Sequence, residues 1–166
     1  MDRKIVTEIP ANPMLANLQH RKRKLRVAAY CRVSTEEEEQ QNSFEVQVDY
    51  YTEKISNHEG WQLAGIFADD GISGVRTKKR EQFNKMIELC KQKKIDLILT
   101  KSISRFARNT LDCIKHIRIL KSWGIPVIFE KENIDTSNMN SEMILTCLSA
   151  FAQAESESIS GNVTKG

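Results

Sequence analysis

No run in this sequence approaches the roughly 18 consecutive apolar residues of a membrane span. The N-terminus also lacks the apolar core of a secretory signal. Both absences lead us to expect a protein of the cytoplasm with no membrane partner. Cysteine is scarce and scattered: Cys31, Cys90, Cys113 and Cys147 form no Cys-x-x-Cys pair and no cluster with histidine, so no structural zinc site is expected. Each falls in an apolar pattern, as buried free thiols of a reducing compartment do. Neither G-x-x-x-x-G-K-S/T nor G-x-G-x-x-G occurs, which leaves ATP and dinucleotide binding without a motif. Histidine is limited to His20, His58 and His116, with His58 at a helix end and His116 on a helix face, so a Ser-His-Asp triad has no support.

What remains is an ordinary globular composition. The 166 residues, 40% hydrophobic and 28% charged, suffice for one domain with a proper core plus tails. The net charge of +3 is small but unevenly placed. Arg21 to Lys24 with Arg26, Lys78 to Arg80, and Lys101 with Arg105 and Arg108 form basic blocks, opposed by Glu36 to Glu39. Such blocks point to a polyanionic partner; a solvated surface is the plain alternative for any one of them.

Residues 1–24 contain Pro10 and Pro13 and no sustained periodicity, and read as a flexible basic leader. Leu25 to Cys31 reads as a first strand. Asn42 and Glu45 form a capping-box pattern, and Phe44, Val48, Tyr51 and Ile55 recur at helical spacing. Trp61 to Ala68 is a second strand, closed by a turn from Asp69 to Gly74. Phe83, Met86, Ile87 and Cys90 mark a second helix, and Ile95 to Thr100 a third strand. Leu111, Ile114, Ile117 and Leu120 mark a further helix, with Gly124 at its C-cap. Pro126 opens a fourth strand through Phe129, and a polar loop covers 131–140. A last helix begins near Ser141, with a stripe of Ile144, Cys147, Leu148 and Phe151. The expectation is an α/β domain over 25–140. It has a parallel-rich central sheet of about four strands, helices on both faces, and a long C-terminal helix over 141–166.

In open α/β sheets ligands sit at the carboxyl ends of the strands. That rule gathers Ser34, the Asp69 to Ser73 turn and the Lys101 to Arg108 segment on one edge. Strand alternation puts Tyr30, Arg32 and Ser34 on one side, with Cys31 opposite. Arg105 and Arg108, three apart, would share a face if they lie in one helical turn. Arg32, Arg80, Arg105 and Arg108 around a hydroxyl suit a phosphate, whose oxygens match planar, permanently charged guanidinium forks. Ser34 would supply the attacking oxygen. Its base is open: Asp69 is one candidate, and electrostatic lowering of the hydroxyl pKa by the arginines is another. A salt-bridge network, non-catalytic nucleic-acid contacts, or a metal-dependent nuclease built from Asp69, Asp70, Glu130 and Asp135 are the competing readings.

Five separated motifs then match a known family in order. They are Tyr30-x-Arg32-Val33-Ser34-Thr35; Gln41-Asn42-Ser43 with Gln47; Asp69-x-Gly71-x-Ser73-Gly74 with Arg80; Ser104-Arg105-Phe106-x-Arg108-Asn109-Thr110; and Ala152-Gln153-Ala154-Glu155. Over Leu25 to Ile159 the chain resembles the serine recombinases, and the large integrase and transposase type more than the small resolvases. The resemblance implies that Ser34 cuts DNA and becomes joined to the 5′ phosphate. It implies that Arg32, Arg105 and Arg108 contact the scissile phosphate, with Asp69, Arg80, Tyr30, Gln47, Ser73 and Ser104 around it. It further implies double-stranded DNA as partner, dimers that synapse into tetramers through the last helix, and no metal or nucleotide cofactor. Ser104 departs from the Asp of small resolvases, and Ser156 from their frequent Arg. With no helix-turn-helix or second domain before Gly166, we expect a catalytic fragment without its DNA-reading domain.

Overall fold

A computed structural model describes residues 23–33, 44–70 and 80–163. A five-stranded sheet in the order β2-β1-β3-β4-β5 forms its centre. The strands are β1 (Leu25–Val33), β2 (Trp61–Asp70), β3 (Leu97–Thr100), β4 (Val127–Phe129) and β5 (Ile134–Asp135). The α-helices are α1 (Phe44–Ser56), α2 (Glu81–Lys91), α3 (Ile103–Phe106), α4 (Thr110–Ser122) and α5 (Ser141–Val163). Among the described residues no helix is long and apolar enough to cross a membrane.

β1 is an interior strand of the sheet and is apolar on both faces. Val27, Ala28, Ala29 and Tyr30 are fully buried, as expected for a strand covered from both sides in a parallel sheet. It pairs in parallel with β2 and β3, and β3 pairs in parallel with β4. Alternation then divides the core in two. Val27, Ala29, Cys31, Leu97 and Leu99 pack with Tyr51 and Ile55 of α1. Ala28, Tyr30 and Ile98 pack on the other face with Phe83 and Met86 of α2, Ile117 of α4 and Leu148 of α5. Helices cover both faces, as the strand–helix alternation required.

The sheet has five strands rather than about four. The fifth lies inside the polar stretch 131–140, where Ile134–Asp135 pairs antiparallel with β4. Two residues are too short to carry a period-two signal, and the chain reverses into them through Asn133 at φ 52°. β2 runs on to Asp70, so Asp69 belongs to a strand and not to a turn. A register shift at Val27/Ala28 sets Asp69 opposite Arg32. Three residues assigned to apolar stripes lie outside: Leu111 is 79%, Phe44 52% and Phe151 40% exposed. Leu111 and Phe44 each sit in the first turn of their helix, and on α4 Cys113 takes the buried place instead. The other end of α4 follows expectation. Gly124 at φ 76° donates to Lys121 O, and Ile125 donates to Leu120 O at 2.9 Å, a Schellman closure. The N-cap expected at Asn42 lies outside the described residues.

At the opposite edge of the sheet Arg26 binds Asp96, with Nε and Nη2 each 2.9 Å from a carboxylate oxygen. These bonds hold the Asp96 carboxyl down at about 2. A depressed folded-state pKa contributes stability above the ordinary carboxylate value of about 3.9, and that contribution fades as pH falls through the folded value. Wild type should therefore resist urea better than Asp96→Asn near neutral pH. The gap between their unfolding midpoints should close between pH about 4 and about 2.

Candidate functional site

β1 emerges from the core at its carboxyl end, where Tyr30 is the last fully buried residue of one face. Its ring meets Phe83 and Phe106 edge-on at 5.0 and 6.5 Å between centroids. Its hydroxyl donates to Asp69 Oδ2 at 3.1 Å and accepts from Arg80 Nε at 3.3 Å. Burial, ahead of the neighbouring charges, pushes the Tyr30 phenol up to about 12, so it stays neutral. Asp69 does more than receive Tyr30. Its Oδ1 accepts from Gln82 N and its Oδ2 from Phe83 N, both at 2.9 Å. Those are orphan amides in the first turn of α2, whose N-cap residue Arg80 makes no side-chain cap. β2 thus caps α2 with a carboxylate at the positive end of its dipole.

Arg80 is held on every side. Its guanidinium carbon stands 3.7 Å from the Phe83 ring centroid, and Nη2 donates to Phe106 O. Nη1 lies 3.6 Å from Asp112 Oδ2, a carboxylate that also meets His116 Nε2 at 3.2 Å. Asp112 was not singled out from sequence. Its signal was the Asn109-x-x-Asp112 spacing, since Asn109 Oδ1 accepts from Asp112 N at 2.8 Å as the cap of α4.

Arg32 is treated differently. It is half-buried, and its Nε is buried without a hydrogen-bond partner among the described residues. Its pKa is lowered, first by burial and then by the positive charge of Arg105, with Arg80 and Arg108 adding to it. The four arginines gathered from sequence therefore do meet within electrostatic reach. They arrive by another route than one helical turn. Arg105 lies in α3, a single turn capped by Ser102. Ala107 (φ −129°, ψ 157°) and Asn109 (φ −155°, ψ 174°) are extended, so Arg108 sits in a link between two helices. Glu132, also missed from sequence, fixes the start of that turn: both its carboxylate oxygens lie 3.2 Å from Ile103 N.

The remaining residues divide. Ser104 is exposed on α3, its Oγ 3.0 Å from Ser102 Oγ. Gln47 is on the other face, lining a cavity under α1. Ser34 and Ser73 lie outside the described residues. Cys31 packs on the α1 face, away from Arg32, and burial pushes its thiol up to about 12, which removes it as a nucleophile. A half-buried cation near other cations is the kind of arrangement that suits an anion, and phosphate oxygens match guanidinium forks.

Comparison with known proteins adds to this geometry. The family model of the resolvase N-terminal domain matches residues 27–166. A resolvase/recombinase of Pseudomonas putida is 32% identical over 131 residues, which cover 79% of this chain and 65% of that protein. The chain thus spans just under two thirds of that relative's length. Among solved structures, the N-terminal catalytic domain of TP901-1 integrase is similar at 29% identity and a TM-score of 0.61, covering 80% of this chain and 97% of that one. A resolvase family site-specific recombinase from Streptococcus pneumoniae is similar at 30% identity and a TM-score of 0.59, over 86% of this chain and 95% of that one.

The two kinds of arginine should answer oppositely to substitution. Arg32→Met removes a desolvated, repelled charge and should raise stability by about 1 kcal/mol. Arg80→Met strips Phe106 O and Asp112 of a partner and should lower it by about 1–3 kcal/mol. Urea unfolding followed by circular dichroism separates the two. Asp69→Ala should cost about 1–2 kcal/mol through the lost cap of α2, read in the same experiment.

Proposed function

Because this chain belongs to the resolvase family and matches its N-terminal domain, we propose that it is the catalytic part of a site-specific recombinase acting on double-stranded DNA. The observation that carries this reading is the meeting of Arg32, Arg80, Arg105 and Arg108 at the carboxyl end of β1, two residues before Ser34 in the chain.

In the proposed reaction Ser34 Oγ attacks the phosphorus of a phosphodiester and gives up its proton. The bond from phosphorus to the 3′ oxygen breaks, and that oxygen takes a proton to leave as a 3′-hydroxyl. The 5′ phosphate is then joined to Ser34 as an ester. Attack by another 3′-hydroxyl on the same phosphorus reverses the step and rejoins the strand. One ester replaces another, so no nucleotide need be hydrolysed. Arg32, Arg105 and Arg108 take up the charge that grows on the phosphate oxygens, as fixed donors do best where charge develops. Arg80 and Tyr30 hold that group in place, with Gln47, Ser73 and Ser104 as supporting residues.

Asp69 fits the role of positioning residue better than that of base. Its carboxylate already accepts from Tyr30, Gln82 and Phe83. Lowering of the Ser34 hydroxyl pKa by the arginine field is the alternative we favour. α5 would carry the dimer contact, and paired dimers would form the tetramer in which strands exchange. Neither metal nor ATP enters the scheme.

The test is covalent trapping by the full-length protein on DNA carrying its recombination site, in chelator. Wild type should leave protein on the 5′ end, and Ser34→Ala should not. Linkage to the 3′ end, undiminished cutting by Ser34→Ala, or loss of cutting in chelator would overturn the proposal.

A further inference from the structure

The arginines of the cationic edge come from different elements, and one carboxylate joins two of them. Arg80 stands at the N-cap of α2, and Arg108 in the extended link between α3 and α4. Asp112, in the first turn of α4, reaches both. Its Oδ2 accepts from Arg108 N at 3.2 Å and lies 3.6 Å from Arg80 Nη1. Helix capping alone does not ask for this. The cap of α4 is Asn109, whose Oδ1 accepts from Asp112 N at 2.8 Å. The reciprocal bond of a capping box would return to the amide of Asn109. Asp112 instead bonds the amide one residue earlier, that of Arg108 itself.

The other carboxylate oxygen is held from behind. His116, one turn on in α4, sets its Nε2 3.2 Å from Asp112 Oδ1. The imidazole stands edge-on to Phe83 at 4.9 Å and to Phe106 at 6.4 Å between centroids. Burial, ahead of the charge of Asp112, lowers the His116 pKa, so near neutral pH it is a neutral donor. It orients the carboxylate and leaves its charge to Arg80. Arg80 in turn donates to Tyr30 Oη at 3.3 Å, and that hydroxyl donates to Asp69 at 3.1 Å. A continuous chain of contacts therefore runs Asp69, Tyr30, Arg80, Asp112, Arg108, across β2, β1, α2 and α4. Asp112 is the link that carries it out to Arg108.

Resting on the recombinase reading above, we infer that Asp112 is a positioning residue of that reaction. It sets the place of Arg108 relative to Arg80, and so the place of a phosphate that both would face. This role is separate from binding. A carboxylate at a cationic edge opposes the approach of DNA, so its charge by itself weakens attraction. What it supplies is the fixed placement of donors where charge develops.

The test compares wild type, Asp112→Asn, Asp112→Glu and the control Asp96→Asn, all as full-length protein on labelled DNA carrying the recombination site. Urea midpoint, DNA affinity and the rate of covalent 5′ trapping at saturating protein are measured for each. Asp112→Asn keeps an oxygen for Arg108 N and loses the charge that faces Arg80. Its DNA affinity should equal or exceed that of wild type. Its trapping rate should fall about 10- to 100-fold, since a misplacement of about 1 Å can cost about 100-fold. Asp112→Glu restores the charge and should trap faster than Asp112→Asn. Asp96→Asn loses the Arg26 bonds at the opposite edge of the sheet and should trap at the wild-type rate, which separates placement from stability. If Asp112→Asn traps as fast as wild type, if Asp112→Glu is no faster than Asp112→Asn, or if Asp96→Asn slows as much, the positioning role falls and the recombinase reading stands. If wild type leaves no protein on the 5′ end, that reading falls and this role with it.

Discussion

Four guanidiniums brought within reach of one another repel, and the edge of this domain is organised to hold them there anyway. Arg32 feels burial and three like charges, with a buried Nε that has no partner among the described residues. That arrangement costs stability, and such a cost is commonly met where a site must be ready before its ligand arrives. The opposing forces come from ordinary packing. Tyr30, Phe83, Phe106 and Phe129 form an edge-to-face aromatic cluster beneath the site. Arg80 is matched with an aromatic face, a carbonyl and a carboxylate. It behaves as the tie between the cationic edge and the core.

Helix caps set where the other arginines stand. α3 is one turn long and could not persist alone. Ser102 caps it from within and Glu132 from the loop after β4. The start of α4 is closed by Asn109, and Asp112 also accepts from Arg108 N at 3.2 Å. Among the described residues, Asp69, Asp112 and Glu132 at this edge are spent on backbone amides, on Tyr30 and on Arg80.

The same edge carries lysines, tyrosines and an amide on the α1 side, with Glu130 turned inward to α1. The last helix shows a comparable division along its length. Ile144 and Leu148 are buried against the domain, while Phe151 is 40% exposed where α5 runs on beyond it.

Much of this was legible in the chain itself, because local rules governed it. The buried run at Val27 to Cys31, the alternation that separates Tyr30 and Arg32 from Cys31, and the Gly124 helix stop depend only on residues near in sequence. The convergence of polar segments followed from one topological rule about strand ends. Other features needed the folded chain. The start of α3 at Glu132 and the capping of α2 by Asp69 each depend on a partner well removed in sequence. So do Asp112 against Arg80 and Glu130 against Tyr51, pairs 32 and 79 residues apart. The sequence determined which side chains could stand at the edge of the sheet and with what charge. Tertiary structure alone decided which carboxylates were spent on amides and cations, because that assignment depends on distances in space that no spacing along the chain encodes.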